Sequence, residues 1–169
     1  MNWLGAVIIV AACSVIGIKK ACSLGNTEKC YAALISMLEI TKGEICTRRA
    51  PMDEVFTALE KSAAKPVRPF VSGVSAQLAA LGEHSFAEIW CACADKYLQQ
   101  LSPASLAAVK SLGGSLGRYD ADFQCAAIER CMAVLSQEQQ IFSSGLSANK
   151  RMYIGIGSGT GLIIAIMLL

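Results

Sequence analysis

Apolar residues recur with helical spacing along the middle of the chain, and this pattern predicts six amphipathic helices. The first is expected to begin after Asn26-Thr27, a predicted cap, and its apolar positions follow the intervals i, i+3, i+4 and i+7 of one helix face. No alternating run of β-branched residues occurs there, so no sheet is predicted. Short connections between the helices favour an all-α fold, an antiparallel six-helix bundle.

Serine residues mark two of the predicted helix starts. Ser85 and Glu88 have the spacing of a capping box, in which each side chain accepts a hydrogen bond from the other residue's backbone N–H. Ser102-Pro103 combines a capping hydroxyl with a proline, which suits the first turn of a helix. These signals place the starts of the fourth and fifth helices.

The sixth helix is predicted from near Asp120 to about Phe142. Its apolar face includes Phe123 and Ile141, which are therefore expected to point into the bundle. Residues 143–145 (Ser-Ser-Gly) are expected to loosen the chain after this helix.

Both ends of the chain are apolar and uncharged. Residues 1–18 and 152–169 contain no charged side chain, and a helix of about 18 residues reaches about 27 Å, close to the thickness of a hydrocarbon core. In lipid every backbone amide must be satisfied within its own segment, which a helix achieves. The two stretches are therefore predicted to be transmembrane helices that flank the bundle domain, residues 19–151.

Basic residues border both apolar stretches on the side of the bundle. They are Lys19, Lys20, Lys150 and Arg151. Because basic residues beside membrane helices favour the cytoplasmic side, the 19–151 domain is predicted to be cytoplasmic and tied to the cell membrane at both ends.

An alternative remains for the N-terminal stretch. Residues 10–13 (Val-Ala-Ala-Cys) resemble the cleavage site of a bacterial lipoprotein, which would leave Cys13 lipidated and the domain outside the cytoplasm as a binding module. A signal peptide normally starts with a basic region, however, and no Lys or Arg precedes Cys13.

Glycines in the C-terminal stretch have the spacing of a helix-packing motif. A phosphate-binding loop would need a preceding strand and a lysine, and this apolar stretch provides neither. Small residues four apart instead let another membrane helix approach closely, either the first span or another subunit. The residues are Gly155, Gly157, Gly159 and Gly161.

Composition excludes several classes of function. The net charge of +2 is too small for a nucleic-acid-binding protein, and no basic stripe interleaves with aromatic residues. The eight cysteines include no Cys-x-x-Cys spacing, and a reducing cytoplasm would keep them as thiols, most of them small apolar fillers. With a single histidine, His84, neither a metal site nor a cofactor is predicted.

Catalytic groups are also missing from the pattern. His84 has no sequence neighbour that would act as its acid or nucleophile. Asp120 and Asp122 stand at a helix start, where carboxylates commonly cap. The chain is therefore not expected to be an enzyme.

A glycine-rich corner separates the fifth and sixth helices. Gly113, Gly114 and Gly117 lie within five positions, although a glycine costs about 1 kcal/mol in a helix interior. They indicate a tight corner or the close approach of another backbone. The corner is either a simple turn or a docking site that presents three polar side chains, Arg118, Asp120 and Gln124.

Several of these segments together resemble the stage III sporulation protein AB family of endospore-forming bacteria. The matching pieces are the N-terminal stretch with Gly5, residues 44–54, residues 115–124, and the 153–155 and 161–163 parts of the C-terminal stretch. The order and spacing of these pieces, which span nearly the whole chain, carry the resemblance.

The resemblance implies a bundle similar to the F-type platform protein of type II secretion and type IV pilus systems. It also implies a non-enzymatic scaffold in the complex that links mother cell and forespore. There the protein would sit in the mother-cell membrane beside a secretion-type ATPase, stage III sporulation protein AA, and other membrane proteins of the complex, possible copies of itself included.

Overall fold

A computed structural model describes the backbone of residues 3–78, 84–116 and 120–168, and the side chains of residues 23–78, 84–116 and 120–145. This part of the chain contains six α-helices and no β-strand, which confirms the all-α prediction. The helices are α1 (Trp3–Lys42), α2 (Met52–Ser62), α3 (Arg68–Leu78), α4 (Phe86–Tyr97), α5 (Pro103–Ser115) and α6 (Ala121–Leu168), and a π-helical turn (Gly43–Thr47) follows α1.

Helix α1 continues through Asn26 and Thr27, so the predicted cap at this point is wrong. The Thr27 hydroxyl donates to the main-chain carbonyl of Ser23 at 3.2 Å, one turn back along the same helix. A threonine that bonds back in this way lies within a helix and does not start one. The N-terminal stretch and the first bundle helix are therefore one helix of 40 residues.

Helix α6 likewise continues through residues 143–145, where the sequence predicted a break. The Ser144 hydroxyl donates to the Ile141 carbonyl at 2.8 Å, so this polar stretch is accommodated within the helix.

The expectation that Phe123 and Ile141 face the core is also wrong, because their side chains are 47% and 61% exposed. The spacing of apolar residues alone did not distinguish these two exposed positions from the buried positions Ile128 and Leu135.

The chain divides into two compact units. One unit consists of Met1–Glu28 and Ile141–Leu169, and the other of Lys29–Gln140. Over the residues that the structure describes, no helix combines the length and the apolar character needed to cross a bilayer. The side chains of the predicted spans, 1–18 and 152–169, lie outside the described residues.

The core of the Lys29–Gln140 unit is centred on Trp90 of α4. The Trp90 side chain is 2% exposed, its Nε1–H donates to the Val109 carbonyl at 2.7 Å, and its ring meets the Phe70 ring edge-on at 4.8 Å. A Cβ atom added to Gly113 of α5 would lie 2.3 Å from Trp90 Cδ1. Gly113 therefore allows α5 to pack on the indole ring; the close approach predicted there involves a side chain rather than a backbone.

The predicted serine caps are confirmed. Ser85 accepts from the Glu88 N–H at 3.4 Å while the Glu88 carboxylate accepts from the Ser85 N–H at 2.9 Å, which completes the capping box of α4. Ser102 caps α5 by accepting from the Ser105 N–H at 3.2 Å. The buried Tyr31 hydroxyl on α1 accepts from the Ser102 N–H at 3.1 Å, so α1 is held at the start of α5.

Candidate interaction surface

Two segments that are far apart in sequence line one surface groove of about 380 Å³. One segment runs from the π turn to the start of α2, and the other is the start of α6. The lining residues are Ile45, Arg49, Ala50, Pro51, Met52, Asp120, Ala121 and Gln124. We call this feature the corner groove.

The first wall of the corner groove is an irregular turn. After the π turn, Arg49 takes the left-handed backbone conformation with φ 50°, the one non-glycine residue of the described chain with a positive φ. The Ala50 N–H donates to the Glu44 carbonyl at 3.0 Å, which closes the turn around Arg49. A left-handed conformation costs an L-residue about 1–2 kcal/mol, and such outliers concentrate at functional sites.

Pro51 ends this turn and leads into α2. Its φ of −66° is the value that the proline ring imposes, and its carbonyl accepts from the Glu54 N–H at 3.1 Å. Pro51 is the N-cap residue of α2, one position before Met52. Asp53 and Glu54 occupy the first turn of the helix.

The second wall contains two of the three predicted docking residues. Asp120 is exposed directly before α6, and its carbonyl accepts from the Gln124 N–H at 3.1 Å. Gln124 is half-buried in the first turns of α6. Arg118 lies outside the described residues. The structure thus brings Asp120 and Gln124 into one groove with Arg49, which the sequence did not pair with them.

A disulfide joins the two walls. Cys46 of the π turn is bonded to Cys125 of α6 across 79 residues of sequence, with a Cα–Cα distance of 6.0 Å. The expectation that all cysteines remain thiols is therefore wrong for this pair. Spacing along the chain could not reveal it, because the pairing depends on how α1 and α6 lie together. The Lys42 ammonium contacts the Glu129 carboxylate at 2.6 Å one helical turn away, which adds a second, exposed link.

Three of the other described cysteines are buried thiols, as predicted for apolar fillers. Burial raises the pKa of the Cys131 thiol to about 12, and it also raises the pKa of Cys30 and of Cys93. Such thiols have little thiolate character and low reactivity. Cys91 is half-buried, and its thiol donates to the Lys110 carbonyl at 3.8 Å.

The corner groove has the chemistry of a docking surface. Its lining combines apolar side chains, the half-buried Met52 and the buried Ile45, with an exposed cation, Arg49, and an exposed carboxylate, Asp120. The neighbouring Arg48 already forms a two-pronged contact with Glu44 at 2.8 and 3.0 Å. Apolar contact area with charges of both signs at its edge suits a protein partner.

A second groove, of about 280 Å³, lies between α5 and α6. Its charged residue, Arg130, donates from Nε to the Ala126 carbonyl at 3.2 Å and stacks over the Phe123 ring at 5.8 Å. The guanidinium is therefore engaged within its own helix. This groove offers mainly small side chains, and it is the weaker candidate.

The remaining predicted residues can be placed as follows. His84 is exposed and does not line the corner groove. Across the described part of the chain, no three His, Cys, Asp or Glu side chains come together as metal ligands. The residues predicted to set membrane sidedness and helix packing have side chains outside the described residues; they are Lys19, Lys20, Lys150, Arg151, Gly155, Gly157, Gly159 and Gly161.

Comparison with known protein families identifies the chain. The family model described as stage III sporulation protein AB matches residues 2–169. The protein belongs to the stage III sporulation protein AB family. Searches of curated proteins and of solved structures found no match.

Family membership gives the protein a role in stage III of sporulation. The stage III sporulation protein AB family is not known as a family of enzymes. The two segments that carried the resemblance in the middle of the chain, residues 44–54 and 115–124, are the segments from which all lining residues of the corner groove come.

Sequence reasoning missed part of this surface. Arg49 and Met52 lie in a matching segment but were not assigned to a docking site, because a left-handed arginine has no signature in a single sequence. The Ala50-Pro51 pair was the available signal, since a residue before proline avoids the helical conformation and marks the turn.

Proposed function

We propose that this protein is a non-enzymatic membrane platform in the complex that links mother cell and forespore, and that it couples a cytoplasmic secretion-type ATPase to a membrane channel. The observation that carries this proposal is the corner groove, where both central family-matching segments meet. Its exposed charges and apolar lining suit a protein partner. The family resemblance supplies the identity of that partner, stage III sporulation protein AA.

The membrane part of the proposal rests on the chain ends. The uncharged stretches 1–18 and 152–169 would be the two spans, and the bordering basic residues would keep the 19–151 domain in the cytoplasm of the mother cell. The glycines of the second stretch would let the two spans pack closely. A domain held at both ends would present the corner groove at a set distance from the membrane.

The partner claim is tested by co-purification of the full-length protein with the ATPase. The double variant Arg49→Ala/Asp120→Asn removes both groove charges, while asparagine retains the ability to cap α6. We expect binding to weaken at least about tenfold, since charged groups in an interface are commonly worth more than 1 kcal/mol.

The matched control is Glu60→Gln/Lys61→Ala, which removes one exposed acid and one exposed base from the last turns of α2. This control should bind like the unmodified protein. Equal binding by the two double variants would exclude the corner groove as the ATPase site. Failure of the unmodified protein to bind the ATPase would overturn the coupling role itself.

Protease accessibility tests the proposed orientation. In sealed inside-out vesicles, protease added outside should digest the 19–151 domain, because the cytoplasmic face points outward in such vesicles. A domain that is protected in inside-out vesicles and digested in right-side-out vesicles would contradict the cytoplasmic placement.

One observation favours a second candidate function, an extracytoplasmic binding module anchored through lipidated Cys13. Disulfides such as Cys46–Cys125 are typical of oxidising compartments outside the cytoplasm. Metabolic labelling with a radioactive fatty acid separates the two candidates. Label that is incorporated and then lost in Cys13→Ala would support the lipoprotein; no incorporation would support the platform.

A further inference from the structure

The Cys46–Cys125 bond joins the two segments that line the corner groove. Cys46 follows Ile45 in the sequence and Cys125 follows Gln124, so each bonded residue adjoins a lining residue of its own wall. Both cysteines are half-buried, in contrast to the fully buried thiols of the core. The bond therefore links the two walls at residues that are partly exposed.

The other described cysteines differ from this pair. Cys30, Cys93 and Cys131 are buried in the core, and burial raises the pKa of each thiol, which suppresses the reactive thiolate. Cys91 is half-buried but has no sulfur partner. Among the described cysteines, partial exposure of the residue and a bonded sulfur partner thus coincide at Cys46 and Cys125.

We propose that Cys46 and Cys125 are a reversible thiol–disulfide site whose co-substrate is a low-molecular-weight thiol and its disulfide, and that the redox state of this site controls how firmly the walls of the corner groove are held together. The inference rests on the proposed function, because a cytoplasmic bundle is exposed to such a thiol pool. It assigns the pair a regulatory role that a permanently oxidised structural bond would not have.

The chemistry balances as two exchange steps. One cysteine thiolate attacks the small disulfide, whose S–S bond breaks and releases one small thiolate, and a mixed disulfide forms. The second cysteine thiolate then attacks the protein sulfur of that mixed disulfide and releases the second small thiolate. The two cysteines lose two protons and two electrons in total, and the small disulfide is reduced to two thiols. Reduction of the site is the reverse.

Loss of the bond would remove the covalent link between the walls. The nearby Lys42–Glu129 pair is exposed, with side chains 41% and 59% accessible, and exposed ion pairs contribute little to stability. The first wall would then depend on its own turn, which contains the left-handed Arg49, and on the packing of the buried Ile45. We therefore expect reduction to loosen the groove locally while the Trp90-centred core remains folded.

The first experiment uses full-length protein in detergent micelles, equilibrated with reduced and oxidised glutathione at a series of ratios. After acid quenching, a maleimide coupled to polyethylene glycol labels free thiols, and the gel shift counts them. We expect two thiols to disappear together as the oxidised fraction rises, in the unmodified protein and in Cys91→Ser alike. Cys46→Ser should abolish this step.

Two outcomes would overturn the proposal. The step could be absent at every ratio, or the bond could persist in excess reductant. Either result would show that the pair does not exchange with the small thiol pool.

The second experiment measures amide hydrogen exchange of the oxidised and reduced unmodified protein. We expect peptides covering 44–52 and 120–125 to exchange at least about tenfold faster after reduction, while peptides of α4 and α5 are unchanged. Equal exchange in the groove peptides, or loss of protection throughout the chain, would contradict a local control of the groove.

Neither experiment contains the ATPase. A protein that fails to bind the ATPase could still show redox-dependent exchange, and a protein that binds it could lack this dependence. The failure of this inference is therefore distinguishable from the failure of the proposed platform role.

Discussion

The corner groove and the α4–α5 contact are built in opposite ways. At the α4–α5 contact, Trp90 is sealed between helices, Gly113 fits against its ring, and Ser85 completes a capping box. At the corner groove the chain has a π turn, a left-handed Arg49 and exposed charges. The first region consists of regular, capped helices with a buried contact, whereas the second departs from regular helix geometry and exposes charged side chains. Departures of this kind are expected where a surface is used for recognition.

Gly113→Ala should have the largest effect of three substitutions that probe this contrast. The added Cβ would lie 2.3 Å from Trp90 Cδ1 and 2.6 Å from Cγ, and the buried indole has little room to move. We expect a net loss of stability of about 1–3 kcal/mol in thermal unfolding followed by circular dichroism.

Gly114→Ala is the matched control for this substitution. Nothing lies within 4 Å of a Cβ built at Gly114, and alanine favours a helix interior by about 0.5–1 kcal/mol. The control should therefore unfold at a slightly higher temperature. Similar results for the two variants would mean that the contact of α5 with Trp90 is not tight.

Arg49→Gly should act in the opposite direction at the corner groove. Glycine adopts a positive φ without strain, so we expect a gain in stability of about 0.5–1 kcal/mol, together with weaker binding of a groove partner. Arg48→Gly, at φ −92°, would lose the contact with Glu44 and should destabilise. A loss of stability in Arg49→Gly would show that the left-handed residue is not strained.

Glu88→Gln should produce the smallest effect, a change in pH dependence. The Ser85 backbone N–H, and then the Ser85 hydroxyl, hold the pKa of the Glu88 carboxyl below its usual value. A depressed pKa contributes stability that is present above the unfolded-state pKa and is lost as the pH falls through the folded-state pKa.

The melting temperature of the unmodified protein should therefore fall more steeply below about pH 4 than that of Glu88→Gln. Glu60→Gln, which removes an exposed carboxylate from the last turns of α2, should retain the steep fall. Parallel curves for the unmodified protein and Glu88→Gln would contradict the capping role.

Local signals in the sequence predicted much of the central fold. The capping residues Ser85 and Ser102 start their helices as expected, and the apolar stripes around Val55, Trp90 and Val109 are buried. These signals succeed because a cap or a helix face depends on residues within a few positions of one another.

Predictions about helix ends and faces were less successful. Asn26-Thr27 and residues 143–145 contain residues that are common at helix ends, yet α1 and α6 continue through them. Thr27 and Ser144 bond back to their own helices, an option that spacing does not reveal. Phe123 and Ile141 are exposed because α6 has more apolar positions than one buried face can use.

The sequence by itself determined the all-α class, the starts of α4 and α5 and the family to which the chain belongs, because each depends on residue order and short-range chemistry. Only the tertiary structure brought Arg49, Asp120 and Gln124 to one groove and Cys46 to Cys125. These contacts join segments more than 70 residues apart, and short-range residue spacing does not fix distances between such segments.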